Sequence, residues 1–96
     1  MYELISTDAF KHSLIKILKG DQKLKKKILK TLRLLRQNPH YPSLRSHKVN
    51  TRFLGERWSS WVTGDIRIIW DFENGNRLTI LLLDIGSHSG THKIYK

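Results

Sequence analysis

Cysteine is absent from the 96 residues, which excludes disulfides, thiolate zinc sites and cysteine nucleophiles. Proline occurs twice and glycine six times, too few for a low-complexity linker. Acidic residues are scarce, eight against eighteen Lys and Arg. No apolar run approaches the roughly 20 residues of a membrane span; the longest, Thr79 to Leu83 with its flanks, is far shorter. The opening MYELISTDAF lacks the basic and apolar regions of a signal peptide, so the cytoplasm is the expected compartment. What remains, 39% hydrophobic and 27% charged, has the balance of a folded domain, and the length allows one hydrophobic core over residues 1–96.

The charge is unevenly spread. Residues 11–57 hold fourteen basic side chains and two acidic ones, whereas residues 58–96 hold four of each. A basic first half on a neutral second half points to a polyanionic partner, nucleic acid before acidic protein. A merely solubilising surface would mix its signs.

Tyr2 to Ile5 reads as a short strand. Ser6, Thr7 and Asp8 supply helix caps, after which Phe10, Leu14, Ile17 and Leu18 recur at helical spacing as far as Gly20. Asp21 caps a second helix with Leu24, Ile28, Leu32 and Leu35 in one stripe, widened by Leu29. Its opposite side carries Lys23, Lys25, Lys26, Lys27, Lys30, Arg33 and Arg36, and Asn38-Pro39 ends it. A loop runs from Pro39 to Ser46, and the period then changes to two. Arg57 to Thr63 alternates, Thr63-Gly64 forms a turn, and Asp65 to Phe72 makes the next strand. Asn74-Gly75 predicts a type I′ hairpin turn. Arg77 to Ile85 is the last strand, and its unbroken Ile80 to Leu83 run predicts a central position covered on both faces. The expected fold is α+β: a helical hairpin packed on one face of a small antiparallel sheet, in β-α-α-β-β-β order with three or four strands after the helices.

The residues suited to chemistry fall mainly in the second half. Asp65 and Arg67, two apart on the expected strand, share a face; a solvated ion pair is the plainer account of such spacing. His47 follows the proline loop beside Lys48, while His88 and His92 stand four apart in a tail from Gly86 onward. Ser87, Ser89, Gly90 and Thr91 disfavour the helix that a His pair would need to bind a metal. Metal-free RNA cleavage needs a group to take the 2′-OH proton, another to protonate the leaving oxygen, and cations for the phosphate. His47, His88 and Asp65 suit the proton work; Arg67 and Lys48 suit the phosphate. Passive phosphate binding uses the same residues. His12 and His40 read as exposed surface histidines.

Over residues 2–95 the chain resembles the small toxins of the RelE/ParE superfamily, from bacterial type II toxin–antitoxin modules. Three pieces carry the resemblance: the basic two-helix opening with its Pro-His-Tyr-Pro loop; Leu44 to Val49 leading into Trp58 to Trp61 and Gly64 to Trp70; and Leu82 to His88 with Tyr95 near the end. The histidines look nearest to the YafQ-like branch of ribosome-dependent mRNA interferases. The resemblance implies that His47, Asp65, Arg67 and His88 are catalytic, with His92 and Tyr95 as further candidates because the tail departs from the pattern. Trp61 stands where that branch has another histidine. RNA and phosphate contacts fall to Lys25, Lys26, Arg45, Lys48, Arg57 and Trp61, and the sheet face away from the helices would hold the codon. No cofactor or metal is expected; the expected partners are a cognate antitoxin, the ribosome and mRNA, and no membrane. A ParE-like inhibitor of DNA gyrase and a plain basic nucleic-acid-binding module are the alternatives.

Overall fold

The computed structural model describes residues 1–88. The elements run β1 (Glu3–Ser6), α1 (Asp8–Leu18), α2 (Gln22–Gln37), a short 3-10 turn (Pro42–Leu44), β2 (His47–Thr51), β3 (Gly55–Trp61), β4 (Ile66–Glu73) and β5 (Asn76–Ser87). The α+β arrangement is as expected, with four strands following the helices.

Both helices start where their caps predict. Thr7 Oγ1 accepts from the Phe10 N–H at 3.2 Å, and Asp21 Oδ1 accepts from the Leu24 N–H at 3.0 Å. The Thr7 hydroxyl also donates to the Leu82 carbonyl at 2.8 Å, so one side chain both caps α1 and ties it to the sheet. Lys19 in the left-handed region ends α1, followed by Gly20 at φ +80.

The strands order as β1-β5-β4-β3-β2. β5 therefore lies inside the sheet, as its apolar run requires. β2 to β5 form an antiparallel meander, but β1 pairs in parallel with β5, matching Glu3 with Thr79 and Ser6 with Leu82. The sheet is thus mixed rather than antiparallel. A parallel pair needs a crossover, and the helical hairpin between β1 and β2 lets the chain return beneath the sheet. Phe10 from α1 and Ile28 and Leu35 from α2 meet Ile68, Trp70, Ile80, Leu82 and Ile85 from β4 and β5, with Leu44 closing the layer. Burying each such side chain stabilises the fold by about 1.5–3 kcal/mol.

Several local expectations give way. Leu29 is half exposed, and Thr31 takes the buried position instead, its hydroxyl bonding back to the Lys27 carbonyl at 3.0 Å. The Asn74-Gly75 turn is not type I′: only Gly75 has positive φ, and a bulge lies beside it between Phe72 and Glu73. The tail does not start at Gly86; that residue lies within β5, opposite Arg67, and the strand runs on to Ser87. The face away from the helices is not bare, since Ser59 and Ile69 on it are fully buried.

Candidate functional site

β4 begins at Ile66, one residue later than the alternation predicts, because Thr63 intervenes. Its hydroxyl accepts from the N–H groups of Asp65 and Ile66, at 3.1 and 2.9 Å, which holds Asp65 in the turn before the strand. Asp65 and Arg67 are therefore not strand neighbours on one face. Asp65 is instead joined to the end of β5. Ser87 Oγ donates to its carboxylate at 2.7 Å, and the His88 N–H donates to its carbonyl at 2.8 Å. Two hydrogen bonds thus bring Asp65 and His88 together at one end of the sheet, and both residues are exposed there.

Arg67 stands beside them on β4, paired with Trp61 on β3 and Gly86 on β5. It is 5% exposed. Its Nη1 donates to the Thr63 carbonyl at 2.6 Å, and its guanidinium carbon lies 4.1 Å from the centre of the Trp61 ring. Arg45 reaches the same ring, at 4.4 Å, from the end of the 3-10 turn. One indole thus contacts two guanidinium groups. Arg67 is largely enclosed, whereas Arg45 is exposed and able to meet an incoming phosphate.

His47 opens β2 opposite Ser59, on the strand next to Trp61, and its Nδ1 lies 2.8 Å from the Arg45 carbonyl. The loop carrying Arg45 is pinned from below. Ser46 gives its single hydroxyl proton to the Pro39 carbonyl at 2.6 Å, so Ser60 donates to Ser46 Oγ at 2.6 Å. Ser60 in turn accepts from the buried Trp70 Nε1 at 2.7 Å. This relay anchors the loop to the core and sets where Arg45 and His47 emerge.

Asp65, Arg67, His88, Trp61, Arg45 and His47 therefore gather at one end of the sheet. The other sequence candidates lie elsewhere. Arg57 forms an ion pair with Asp71 at 3.1 Å, and the Lys48 ammonium lies 5.2 Å from the Trp58 ring centre. Both line an open groove of about 960 Å³ toward the hairpin turns, together with His40, Phe72 and Arg77. His40 is exposed, as its sequence setting suggests, but its ring also packs edge-on against Trp58 at 4.9 Å. Lys25 and Lys26 project from α2. Lys27 and Lys30 of that helix, part of its basic face but not among the expected RNA contacts, line a cleft of about 280 Å³ with Trp61 and Val62. Their place directly before the buried Ile28 and Thr31 is the signal that marks them. Thr63, Ser46 and Ser87 were also missed; only Thr63, in a Thr-Gly-Asp turn, carries a legible cue. His92 and Tyr95 lie outside the described residues. Among the described residues no three His, Asp or Glu side chains are grouped to hold a metal ion. None of their helices is long and apolar enough to cross a membrane.

No family model matches the chain, and no curated protein does. Among solved structures it is similar to a metal-bound toxin from Helicobacter pylori, with 20% identity, a TM-score of 0.70, and coverage of 92% of this chain and 96% of that one. A YoeB/ParE toxin from Agrobacterium tumefaciens superposes with a TM-score of 0.69 at 14% identity, covering 91% and 99% of the two chains. A conserved hypothetical protein from Helicobacter pylori gives 0.65 at 21% identity over 92% and 96%. The chain has the fold of these toxins. At 14–21% identity this likeness is one of fold, and nothing in it supports the YafQ-like branch. Within the toxin fold the Asp65 cluster belongs to the ends of β3, β4 and β5, with α2 alongside through Lys27 and Lys30.

Proposed function

We propose that the chain is the toxin of a type II toxin–antitoxin module and acts as a ribosome-dependent mRNA endonuclease. One observation carries this reading: Asp65 joined to His88, His47 joined to the Arg45 loop, and Arg45 and Arg67 on the Trp61 ring share one end of the sheet, beside a strongly basic helix. The cut proceeds by attack of the ribose 2′-OH on the adjacent phosphate, leaving a 2′,3′-cyclic phosphate or its 3′-phosphate hydrolysis product. That reaction needs proton transfer and charge stabilisation and no metal. His47 and His88 supply imidazoles, the side-chain type suited to proton transfer near neutrality. Asp65, bonded to Ser87 and to the His88 backbone, fixes the His88 end of the site. Arg45 holds the phosphate, while Arg67 positions Trp61. Lysines and arginines of α2 dock on ribosomal RNA, and an acidic, amphipathic antitoxin segment covers the basic surface. The nearest branch in residue pattern is the YafQ-like one.

A gyrase-inhibiting toxin is the second reading, favoured by the joint YoeB/ParE name of the Agrobacterium structure. One experiment separates the two. The protein is expressed and transcript 5′ ends are mapped on translated and untranslated copies of the same message. Codon-phased cuts confined to translated copies are expected. DNA damage with intact mRNA would replace this reading by the second.

A further inference from the structure

At the opposite end of the sheet from Asp65, the turn joining β2 to β3 holds Phe53 90% exposed, the barest large apolar side chain among the described residues. β4 spans eight residues, about 25 Å at the usual strand rise, so this turn is well removed from the Asp65 cluster. The turn is firmly built. Thr51, 5% exposed, accepts from the Leu54 N–H at 3.0 Å and donates from the same hydroxyl to the Gly55 carbonyl at 2.8 Å. Arg57 Nε donates to the Leu54 carbonyl at 3.0 Å, and Gly55 supplies the positive φ of +76 that closes the turn. Side-chain hydrogen bonds on both flanks therefore hold a phenyl ring out in water. The chain forgoes the gain of burying this ring.

The surroundings decide what the ring meets. Arg52 directly precedes the phenyl and is exposed, Glu56 lies further along the hairpin, and Arg57 and Lys48 are engaged nearby by Asp71 and the Trp58 ring. An exposed aromatic face beside a cation is an arrangement that binds single-stranded nucleic acid, with a base stacked on the ring and a phosphate held by the cation. We propose that the Arg52-Phe53 hairpin tip is an RNA contact on which an unpaired base stacks, separate from the Asp65 cluster. It does not depend on whether that cluster cleaves RNA.

The test is fluorescence anisotropy on the full chain at low salt, with a short oligoadenylate and the same oligomer made abasic. Phe53→Ala should weaken oligoadenylate binding roughly 5- to 150-fold, the range for one stacked base, and leave abasic binding unchanged. Phe53→Trp should bind as the parent does, and thermal melts should be unaltered because the ring packs against nothing. The proposal is overturned if the parent does not bind oligoadenylate, if Phe53→Ala binds it like the parent, or if both oligomers lose equally. Unchanged RNA binding with lost antitoxin binding would make the tip a protein contact instead.

Discussion

Removing the Trp61 ring tests the centre of the site. The indole contacts two cations in different surroundings: Arg67 is 5% exposed, whereas Arg45 is open to water. A desolvated cation over an aromatic ring is worth about 2 kcal/mol and an exposed one about 0.5–1. Trp61→Ala should therefore destabilise the fold by about 2.5–3 kcal/mol, lowering the melting temperature by roughly 10–20 °C in a domain of this size. The assay is urea denaturation followed by far-UV circular dichroism, with double-mutant cycles through Arg67→Met and Arg45→Met. Coupling of Trp61 to Arg67 should be near 2 kcal/mol and to Arg45 about 0.5–1, the two values tracking burial. Equal couplings, or a larger one to Arg45, would refute the argument, because burial would then not set the strength of the contact. Trp61→Phe should keep part of both couplings.

Chemistry and local structure give further expectations. His88→Gln should fold normally but lose about 10²–10⁴-fold in single-turnover cleavage on programmed ribosomes, the range for a general acid–base group. Thr7→Ala removes a helix cap and the bond to Leu82, and should cost about 1–2 kcal/mol in a denaturation series. RNA affinity should fall linearly in log–log coordinates with salt, at a slope near −0.7 per phosphate engaged on a single strand. Replacing Lys27 and Lys30 together should flatten that slope, whereas an unchanged slope would remove their cleft from the RNA path.

Much of the fold could be read from periodicity. Thr7 and Asp21 mark the helix starts because short polar side chains bond the free N–H groups there. The unbroken Ile80 to Leu83 run marks an interior strand because both of its faces lack water-seeking groups. The partner of β1 was not readable, since four residues carry no sign of which edge they will join. The site was half legible. His47, Asp65, Arg67 and His88 stand out by residue type, but the placing of Asp65 depends on one threonine hydroxyl capturing two N–H groups. The burial of Arg67 and the relay from Trp70 to Pro39 are tertiary facts, made by residues far apart in the chain.

The parallel β1–β5 pair has a consequence for the order in which the protein assembles. Glu3 must meet Thr79, and closing a loop of that size costs about 4 kcal/mol of chain entropy before any contact compensates. A chain growing on the ribosome makes β1 and the basic helices first and the sheet's interior strand last. Protease protection of stalled chains should therefore rise only once β5 has emerged. Until then Leu82 is missing beneath α1, and Asp65 has neither Ser87 nor the His88 backbone to hold it. Synthesis itself thus delays the site: the same final strand that completes the core completes the cluster around Asp65.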